Sequence, residues 1–340
     1  MSNPSNNGSQ KNLVEVNNAK KWFPVQTGLM AQLLAGGTAY VRAVDGVTFT
    51  IKKGEVFGLA GESGSGKSTI GRLVIGLDEP TEGKVYFDDI DLTELSSEEL
   101  RRMRRRMQVI FQDPMASLNP RMTIGEAITH PLQIHEPERS GEHRVIAMKM
   151  LERVGLAPPQ FFFDKYPHQI SGGQRQRVVI ARALITEPDL ILADEPIAMA
   201  DVSVRSLLLD LMRELKDELN LTYLFITHDL ATAKYICDRI GIMYLGKLVE
   251  LGELREIYEH PLHPYTQALL AAVPVPNPHE RRVQPMPEGE IPNAINPPSG
   301  CRFHPRCPIA RFPHCSEEVP QLRELRPGHQ VACHYAEEFL

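Results

Sequence analysis

The chain has 340 residues, of which 42% are hydrophobic and 24% charged, and its formal net charge is −6. This length suits two domains or one large domain with an appendage, and the composition excludes wholesale disorder. The negative charge gives no reason to expect nucleic-acid binding, and no stretch approaches the ~18 uninterrupted apolar residues that cross a bilayer.

The first segment, Met1–Asn12, is polar and rich in Asn, Ser and Gly, and we expect a disordered tail there. An apolar stretch over Gly28–Gly37 begins too late for a signal peptide and lacks a clean small-residue cleavage site. We therefore expect the protein to stay in the cytosol and to meet a membrane only through partner chains.

Residues 13–255 alternate short apolar strands with amphipathic helices, which is typical of α/β architecture. The predicted strands are Leu13–Val16, Val47–Ile51, Val56–Ala60, Val85–Phe87, Val109–Phe111, Leu190–Ala193 and Leu224–Thr227. The predicted helices are Gly66–Gly76, Ser97–Met107, Ile124–His135 (with a capping box at Thr123 and Glu126), Glu142–Val154, Gly172–Ile185, Val202–Leu219 and Leu230–Cys237. The last two strands are continuous apolar runs, as in buried parallel sheets, whereas the early ones predict an antiparallel side sheet.

A glycine-rich loop follows the third predicted strand and fits the pattern G-x-x-x-x-G-K-[ST]. Its residues are Gly61-Glu62-Ser63-Gly64-Ser65-Gly66-Lys67-Ser68-Thr69. Glycines let successive backbone N–H groups wrap a phosphate, and the following helix adds the positive end of its dipole. Lys67 can reach the β- and γ-phosphates of ATP and Ser68 can ligate Mg²⁺, so the loop predicts a nucleotide site.

Two carboxylates end the apolar strand at 190–193. Asp194 is placed to hold Mg²⁺, and Glu195 to act as general base on the attacking water. Paired with the phosphate loop, this arrangement predicts ATP hydrolysis.

A further motif lies between the phosphate loop and these carboxylates. It reads Ile170-Ser171-Gly172-Gly173-Gln174-Arg175-Gln176-Arg177 and resembles the signature of ABC ATPases. Gln112 is similar to their Q-loop glutamine, Asp201 to their D-loop aspartate and His228 to their switch histidine. The resemblance covers nearly all of residues 13–255. It implies a P-loop ABC nucleotide-binding domain with a RecA-like core, an antiparallel β subdomain and a helical subdomain at about 113–185.

The resemblance also implies a mechanism. ATP lies between the phosphate loop of one subunit and the signature of the facing subunit, contributed by Ser171, Gly172, Gly173 and Gln174. His228 contacts the γ-phosphate and holds water beside Glu195, while Gln112 senses Mg²⁺ and water. By distance along the chain, Tyr40 is the first candidate to stack on adenine, with Phe23 and Trp22 as alternatives.

Two positions depart from the family pattern. Ala198-Met199-Ala200 precedes Asp201 where Ser-Ala-Leu is usual, which puts D-loop packing across the dimer in doubt. Ile170 replaces the usual Leu, a mild apolar change. The basic run 101–107 invites a nucleic-acid interpretation, but a solvated helix face is the better account.

The C-terminal part, 256–340, begins with a segment that resembles one in oligopeptide/dipeptide transporter ATPases, as does the run from Phe111 to Pro120. That segment reads His263-Pro264-Tyr265-Thr266-Gln267-Ala268-Leu269-Leu270. A proline-rich connector, Pro274–Pro298, follows it. Cys301, Cys307, Cys315 and Cys333 then resemble the pattern with which peptide-transporter ATPases bind a 4Fe–4S cluster.

Four thiols in a short, proline-rich segment need a purpose in a reducing cytosol, and a cluster can tie such a segment together. Zinc is the alternative, although the close C-x₂₋₄-C pair of most zinc sites is missing, and a site without metal is the third possibility. Three histidines could substitute as ligands, but solvated loop residues are the simpler reading: His304, His314 and His334. Cys237 reads as a small core residue.

These features predict the ATPase subunit of a peptide importer at the cytoplasmic face of the membrane. The family implies two transmembrane permease subunits, a related second ATPase subunit and, indirectly, an extracytoplasmic solute-binding protein. The same motor could serve nickel, glutathione or oligosaccharides. A soluble ATPase of DNA maintenance fits poorly, because only about 100 residues, without heptads, separate Lys67 from Ser171.

Overall fold

The computed structural model describes residues 11–25, 38–273 and 289–340. Residues 1–10 of the predicted tail, the apolar stretch 28–37 and residues 274–288 of the proline-rich connector lie outside the described residues. The first strand begins at Asn12, a residue that the prediction assigned to the tail.

The described strands form two sheets. Their bounds are β1 Asn12–Pro24, β2 Tyr40–Lys52, β3 Val56–Ala60, β4 Glu82–Phe87, β5 Ile90–Asp91, β6 Met107–Ile110, β7 Leu190–Asp194, β8 Thr222–Thr227, β9 Arg239–Tyr244, β10 Lys247–Glu253, β11 Arg323–Arg326 and β12 His329–Val331. One sheet has the order β2-β1-β4-β5 and is antiparallel throughout, which confirms the predicted side sheet.

The larger sheet has eight strands in the order β11-β12-β10-β9-β3-β8-β7-β6. Strands β9, β3, β8, β7 and β6 run parallel, whereas β10, β12 and β11 pair antiparallel. β8 is buried throughout and β7 is buried except for Asp194, as their apolar runs predicted, and every residue of β3 is buried as well. Because β12 pairs with β10, the C-terminal residues continue the same sheet.

Helices pack against the sheets, and the five helices that fall between β6 and β7 along the chain pack on one another. Their bounds are α1 Lys67–Val74, α2 Ser97–Met103, α3 Pro114–Ser117, α4 Ile124–His135, α5 His143–Arg153, α6 Pro159–Phe163, α7 Gly172–Leu184, α8 Val202–Leu219, α9 Leu230–Ile236, α10 Leu254–Glu259, α11 Pro264–Ala271 and α12 His314–Glu317. Thr123 and Glu126 form the predicted capping box at the start of α4. No helix in the described part of the chain is long and apolar enough to span a bilayer.

Strands β1 and β2 are longer than predicted, since β1 continues to Pro24 and β2 begins at Tyr40. Two other predicted boundaries, on either side of β6, were also wrong, and burial explains both. The helix expected to reach Met107 ends at Met103, because Met107 is buried at the start of β6. That strand ends at Ile110, since Phe111 is 46% exposed and has left the sheet. The parallel order places the carboxyl ends of β3, β8, β7 and β6 side by side. The phosphate loop, His228, the Asp194–Glu195 pair and Gln112 lie at these four ends, in that order.

Candidate nucleotide site

The phosphate loop runs from the end of β3 to the start of α1 and is shaped by two glycines. Gly61 has φ +150° and Gly66 has φ +103°, conformations that residues with a side chain rarely adopt. A Cβ at Gly61 would lie 2.2 Å from the carbonyl oxygen of Met243, and one at Gly66 would lie 2.1 Å from that of Ala43. Both positions therefore require glycine for space as well as for conformation.

Gly66→Ala is expected to lower the free energy of unfolding of the nucleotide-free protein by about 3 kcal/mol or more, from backbone strain and the clash with Ala43 together. Gly64→Ala is the matched control: Gly64 also has positive φ, but a Cβ there meets nothing within 4 Å. It should cost only the strain, about 1 kcal/mol. Urea unfolding measures both, and equal losses in the two variants would contradict the steric argument.

Lys67 lies inside the loop that it belongs to. Its Nζ donates to the carbonyl oxygens of Gly61 at 2.8 Å and Glu62 at 2.9 Å, and lies 3.4 Å from Ser65 Oγ. Burial lowers the pKa of Lys67, and the carboxylates of Glu195, Asp194 and Glu62 oppose that shift. The ammonium group is thus held where the loop would surround a phosphate.

Ser68 and Asp194 form the candidate Mg²⁺ position. Ser68 Oγ donates to Asp194 Oδ1 at 3.2 Å, which joins the start of α1 to the end of β7. Burial raises the pKa of Asp194; the Ser68 hydrogen bond lowers it, and the neighbouring Glu195 raises it further. Oxygen ligands of this kind suit Mg²⁺, which keeps several waters and takes few protein ligands.

Glu195 is held between two neighbouring side chains. Gln112 Nε2 donates to Glu195 Oε2 at 3.1 Å, and His228 Nδ1 lies 2.9 Å from Glu195 Oε1. Glu195 itself has φ +48°, and its N–H donates to the carbonyl oxygen of Ile226 at 2.9 Å. The structure therefore brings together three residues that the sequence placed at three different strand ends.

The signature residues open α7. Ser171 Oγ accepts from Gln174 N at 3.3 Å, and Gln174 Oε1 accepts from Ser171 N at 2.9 Å, a reciprocal capping box. Ser171 and Gly172 are exposed and Gly173 is half-buried. Among the described residues no hydrogen bond joins this segment to the phosphate loop.

The four C-terminal cysteines line one small pocket. Burial raises the pKa of Cys301, Cys307 and Cys333 to about 11 each. Backbone N–H groups oppose those shifts, and Arg311 N donates to Cys315 Sγ at 3.4 Å. Within the described ranges no three His, Cys, Asp or Glu side chains form a group that could hold a metal ion. The metal site therefore stays a prediction.

Comparison with known proteins agrees with this geometry. Residues 44–198 match the family described as ABC transporter, and residues 249–315 match that described as oligopeptide/dipeptide transporter, C-terminal region. The oligopeptide transport ATP-binding protein AppF of Bacillus subtilis is 48% identical over 96% of this chain and 98% of its own. A putative peptide import ATP-binding protein of Brucella ovis is 52% identical over 87% of this chain and 92% of its own.

Solved structures give the same result. A dimeric ATP-binding cassette bound to ADP and Pi in a post-hydrolysis state has a TM-score of 0.61 and 33% identity, covering 71% of this chain and 99% of its own. The cbiO1 protein of Clostridium perfringens, part of the ABC transporter complex cbiONQ, has a TM-score of 0.61 and 27% identity, covering 73% and 91%. The chain is an ABC transporter ATPase. It belongs to the oligopeptide/dipeptide group of that family.

The segment 198–201, which departs from the usual D-loop sequence, is held by contacts with the helix that follows it. Asp201 is the N-cap residue of α8, and Arg205 Nε donates to the carbonyl oxygen of Ala200 at 2.9 Å. Met199 is 67% exposed. The segment 198–201 thus presents a methionine side chain to solvent at the position where the family usually has a small residue.

The adenine candidates lie on the antiparallel sheet. Tyr40 is 44% exposed, and its ring centroid lies 6.5 Å from that of Trp22. Trp22 already has two other partners. The guanidinium carbon of Arg42 lies 5.2 Å from its ring centroid, and its Nε1 donates to Asp45 Oδ1 at 3.3 Å. Phe23, the other alternative, is 39% exposed and has Lys21 Nζ 5.4 Å from its ring centroid. Stacking of adenine on Tyr40 stays a prediction.

Sequence reasoning missed one set of contacts to the phosphate loop. The Tyr265 hydroxyl oxygen accepts from Glu62 N at 2.8 Å, and Arg306 Nη1 lies 3.0 Å from Glu62 Oε2. Tyr265 was noted only as part of the transporter-like segment, and Arg306 directly precedes Cys307. No spacing rule predicts a contact across more than 200 residues.

Proposed function

We propose that this ATPase powers import of oligopeptides or dipeptides by a membrane transporter. The observation that carries the proposal is the convergence of Ser68, Asp194, Glu195, Gln112 and His228 at four adjacent strand ends. Hydrolysis of ATP requires ligands for Mg²⁺, a base for water and groups that orient the base. Ser68 and Asp194 would supply the first, Glu195 the second, and Gln112 and His228 the third. The peptide substrate is supported by the relatives' names and by the match over residues 249–315.

In the proposed mechanism, the loop from Gly61 to Thr69 binds the phosphates, and Ser68 and Asp194 hold Mg²⁺. Glu195 accepts the proton of the attacking water, while His228 and Gln112 fix the orientation of its carboxylate. A facing subunit contributes its own Ser171–Gln174 segment and so completes the site. Mg²⁺ supplies neutralisation of the charge that develops on the phosphates.

The partners follow from what this chain lacks in the described residues. We propose two transmembrane permease subunits, a related second ATPase subunit and, indirectly, an extracytoplasmic solute-binding protein. The chain would lie at the cytoplasmic face of the membrane. Residues 13–255 would carry the nucleotide chemistry, and 256–340 the cysteine site.

Uptake of a labelled oligopeptide tests the proposed function. Cells that lack this chain are expected to lose uptake, the wild-type chain to restore it, and the Lys67→Met variant not to restore it. Labelled nickel, glutathione and an oligosaccharide are measured in the same strains. Loss of one of those solutes with intact peptide uptake would contradict the peptide assignment and leave the ATPase in place.

We further propose that Cys301, Cys307, Cys315 and Cys333 hold a 4Fe–4S cluster. The proposal is supported by the cysteine pattern and by the position of the four thiols around one pocket, where the Arg311 backbone N–H donates to Cys315 Sγ at 3.4 Å. Such hydrogen bonds stabilise thiolates, the form that binds iron. The cluster would join Cys315 on α12 to Cys301 and Cys307 before that helix and to Cys333 after β12.

Protein purified without air is expected to be brown, with about four irons and four sulfides per chain. Cys307→Ser is expected to lose that iron, whereas Cys237→Ala, the control at the buried fifth cysteine, keeps it. A colourless protein with one zinc per chain would contradict the cluster and favour a zinc site at the four cysteines. Iron content that is unchanged in Cys307→Ser would remove that residue as a ligand.

A further inference from the structure

The C-terminal part of the chain contacts the phosphate loop at Glu62, the second residue of the loop. The Tyr265 hydroxyl accepts from the Glu62 backbone N–H at 2.8 Å. Arg306 Nη1 and Nη2 lie 3.0 and 3.4 Å from the two carboxylate oxygens of Glu62, a two-pronged ion pair. Both the backbone and the side chain of Glu62 are therefore held from outside the nucleotide-binding motifs.

This contact is largely shielded from water. The Arg306 side chain is 6% exposed and that of Glu62 is 17% exposed. The rings of Tyr244 and Phe303 pack against Tyr265, with centroids 4.7 and 5.4 Å away. Charges in such a setting are screened less than those of a surface ion pair, so their effect on a nearby ligand is larger.

The charge of Glu62 matters because of where it lies. A carboxylate on a loop that binds a triphosphate repels the phosphates unless a cation neutralises it. Lys67 acts on this carboxylate through its charge alone, because its Nζ donates to the Glu62 carbonyl oxygen and not to the carboxylate. Arg306 is the cation in direct contact with it, and its paired hydrogen bonds also fix the carboxylate's direction.

We infer that Arg306 and Tyr265 are positioning residues of the nucleotide site. Arg306 neutralises the Glu62 carboxylate, and Tyr265 holds the Glu62 backbone, so that the loop accepts the phosphates of ATP. Through these two residues, the C-terminal part contributes to the binding of ATP. This inference rests on the proposed function only in taking ATP as the ligand of the loop.

Binding of Mg·ATP to the full chain, measured by calorimetry, tests the inference. Arg306→Met is expected to weaken binding about tenfold, because it leaves Glu62 negative beside the phosphates. Adding Glu62→Gln to the same chain is expected to restore most of the affinity, since a neutral amide needs no counter-ion. The loss should be smaller for ADP and smallest for AMP. A purely structural role for Arg306 predicts neither the rescue nor this order.

Tyr265→Phe removes only the hydroxyl and is expected to weaken Mg·ATP binding about fivefold. Two matched controls are expected to bind like wild type. Tyr258→Phe removes another tyrosine hydroxyl, one that donates to the carbonyl oxygen of Leu230. Arg311→Met removes an arginine of the same C-terminal part, one that pairs with Glu338.

The outcomes separate the inference from the proposed function. Wild-type affinity in an Arg306→Met chain that melts like wild type overturns the inference and leaves the ATPase assignment intact. A loss of affinity that Glu62→Gln does not reverse overturns it as well. Failure of the wild-type chain to bind Mg·ATP overturns both.

Discussion

The Glu195→Gln variant is expected to hydrolyse ATP about 10²- to 10⁴-fold more slowly than wild type while binding Mg·ATP with unchanged affinity. Glutamine keeps the size of the side chain and an oxygen for Gln112, but it cannot accept a proton from water. A glutamine at this position keeps both contacts when its oxygen accepts from Gln112 Nε2 and its NH2 donates to an unprotonated His228 Nδ1. The loss then falls on proton transfer and not on geometry. Without hydrolysis, ATP-bound dimers should accumulate.

Phosphate release measures turnover, and size-exclusion chromatography in Mg·ATP measures association. The matched control is Asp210→Asn, a carboxylate on α8 that accepts from the Tyr235 hydroxyl and lies outside the site. It should hydrolyse ATP at the wild-type rate. Normal turnover in Glu195→Gln would remove Glu195 as the general base, whatever its position.

The position of the candidate nucleotide residues was predictable because they stand at the ends of apolar strands. Asp194, His228 and Gln112 stand at or just beyond the carboxyl ends of β7, β8 and β6, and the first two of these strands were predicted as buried from their continuous apolar runs. The sequence does not contain the strand order, which decides that β6, β7 and β8 are parallel neighbours. Only the resemblance to a family linked the three residues before the structure did.

The C-terminal strands could not be predicted, because non-local partners decide them. Glu250 interrupts the apolar pattern of β10 and is fully buried. Its oxygens accept from the N–H groups of Leu262 and His263, and His329 Nε2 lies 2.7 Å from Oε1. A buried carboxylate is tolerated only with such partners, and two of these are backbone groups whose position no side-chain pattern reveals. The contact of Arg306 with Glu62 was hidden for the same reason.

Lys67→Met is expected to weaken Mg·ATP binding by about 100-fold or more. The substitution removes the ammonium group that the loop holds among Gly61, Glu62 and Ser65, and no other donor replaces it toward the phosphates. It also leaves Asp194 and Glu195 without the positive charge that their carboxylates face. Loss of several charge-assisted hydrogen bonds to one ligand accounts for an effect of this size.

Folding should respond differently from binding in this variant. Burial lowers the pKa of Lys67, which means that the charged form is costly to bury, and methionine relieves that cost. The melting temperature without nucleotide should therefore stay near that of wild type. Lys247→Met is the control, because burial also lowers the pKa of Lys247 while its Nζ faces Asp45 at 4.0 Å. That control should bind Mg·ATP normally, and a Lys67→Met chain that did so too would contradict the placement of the phosphates in this loop.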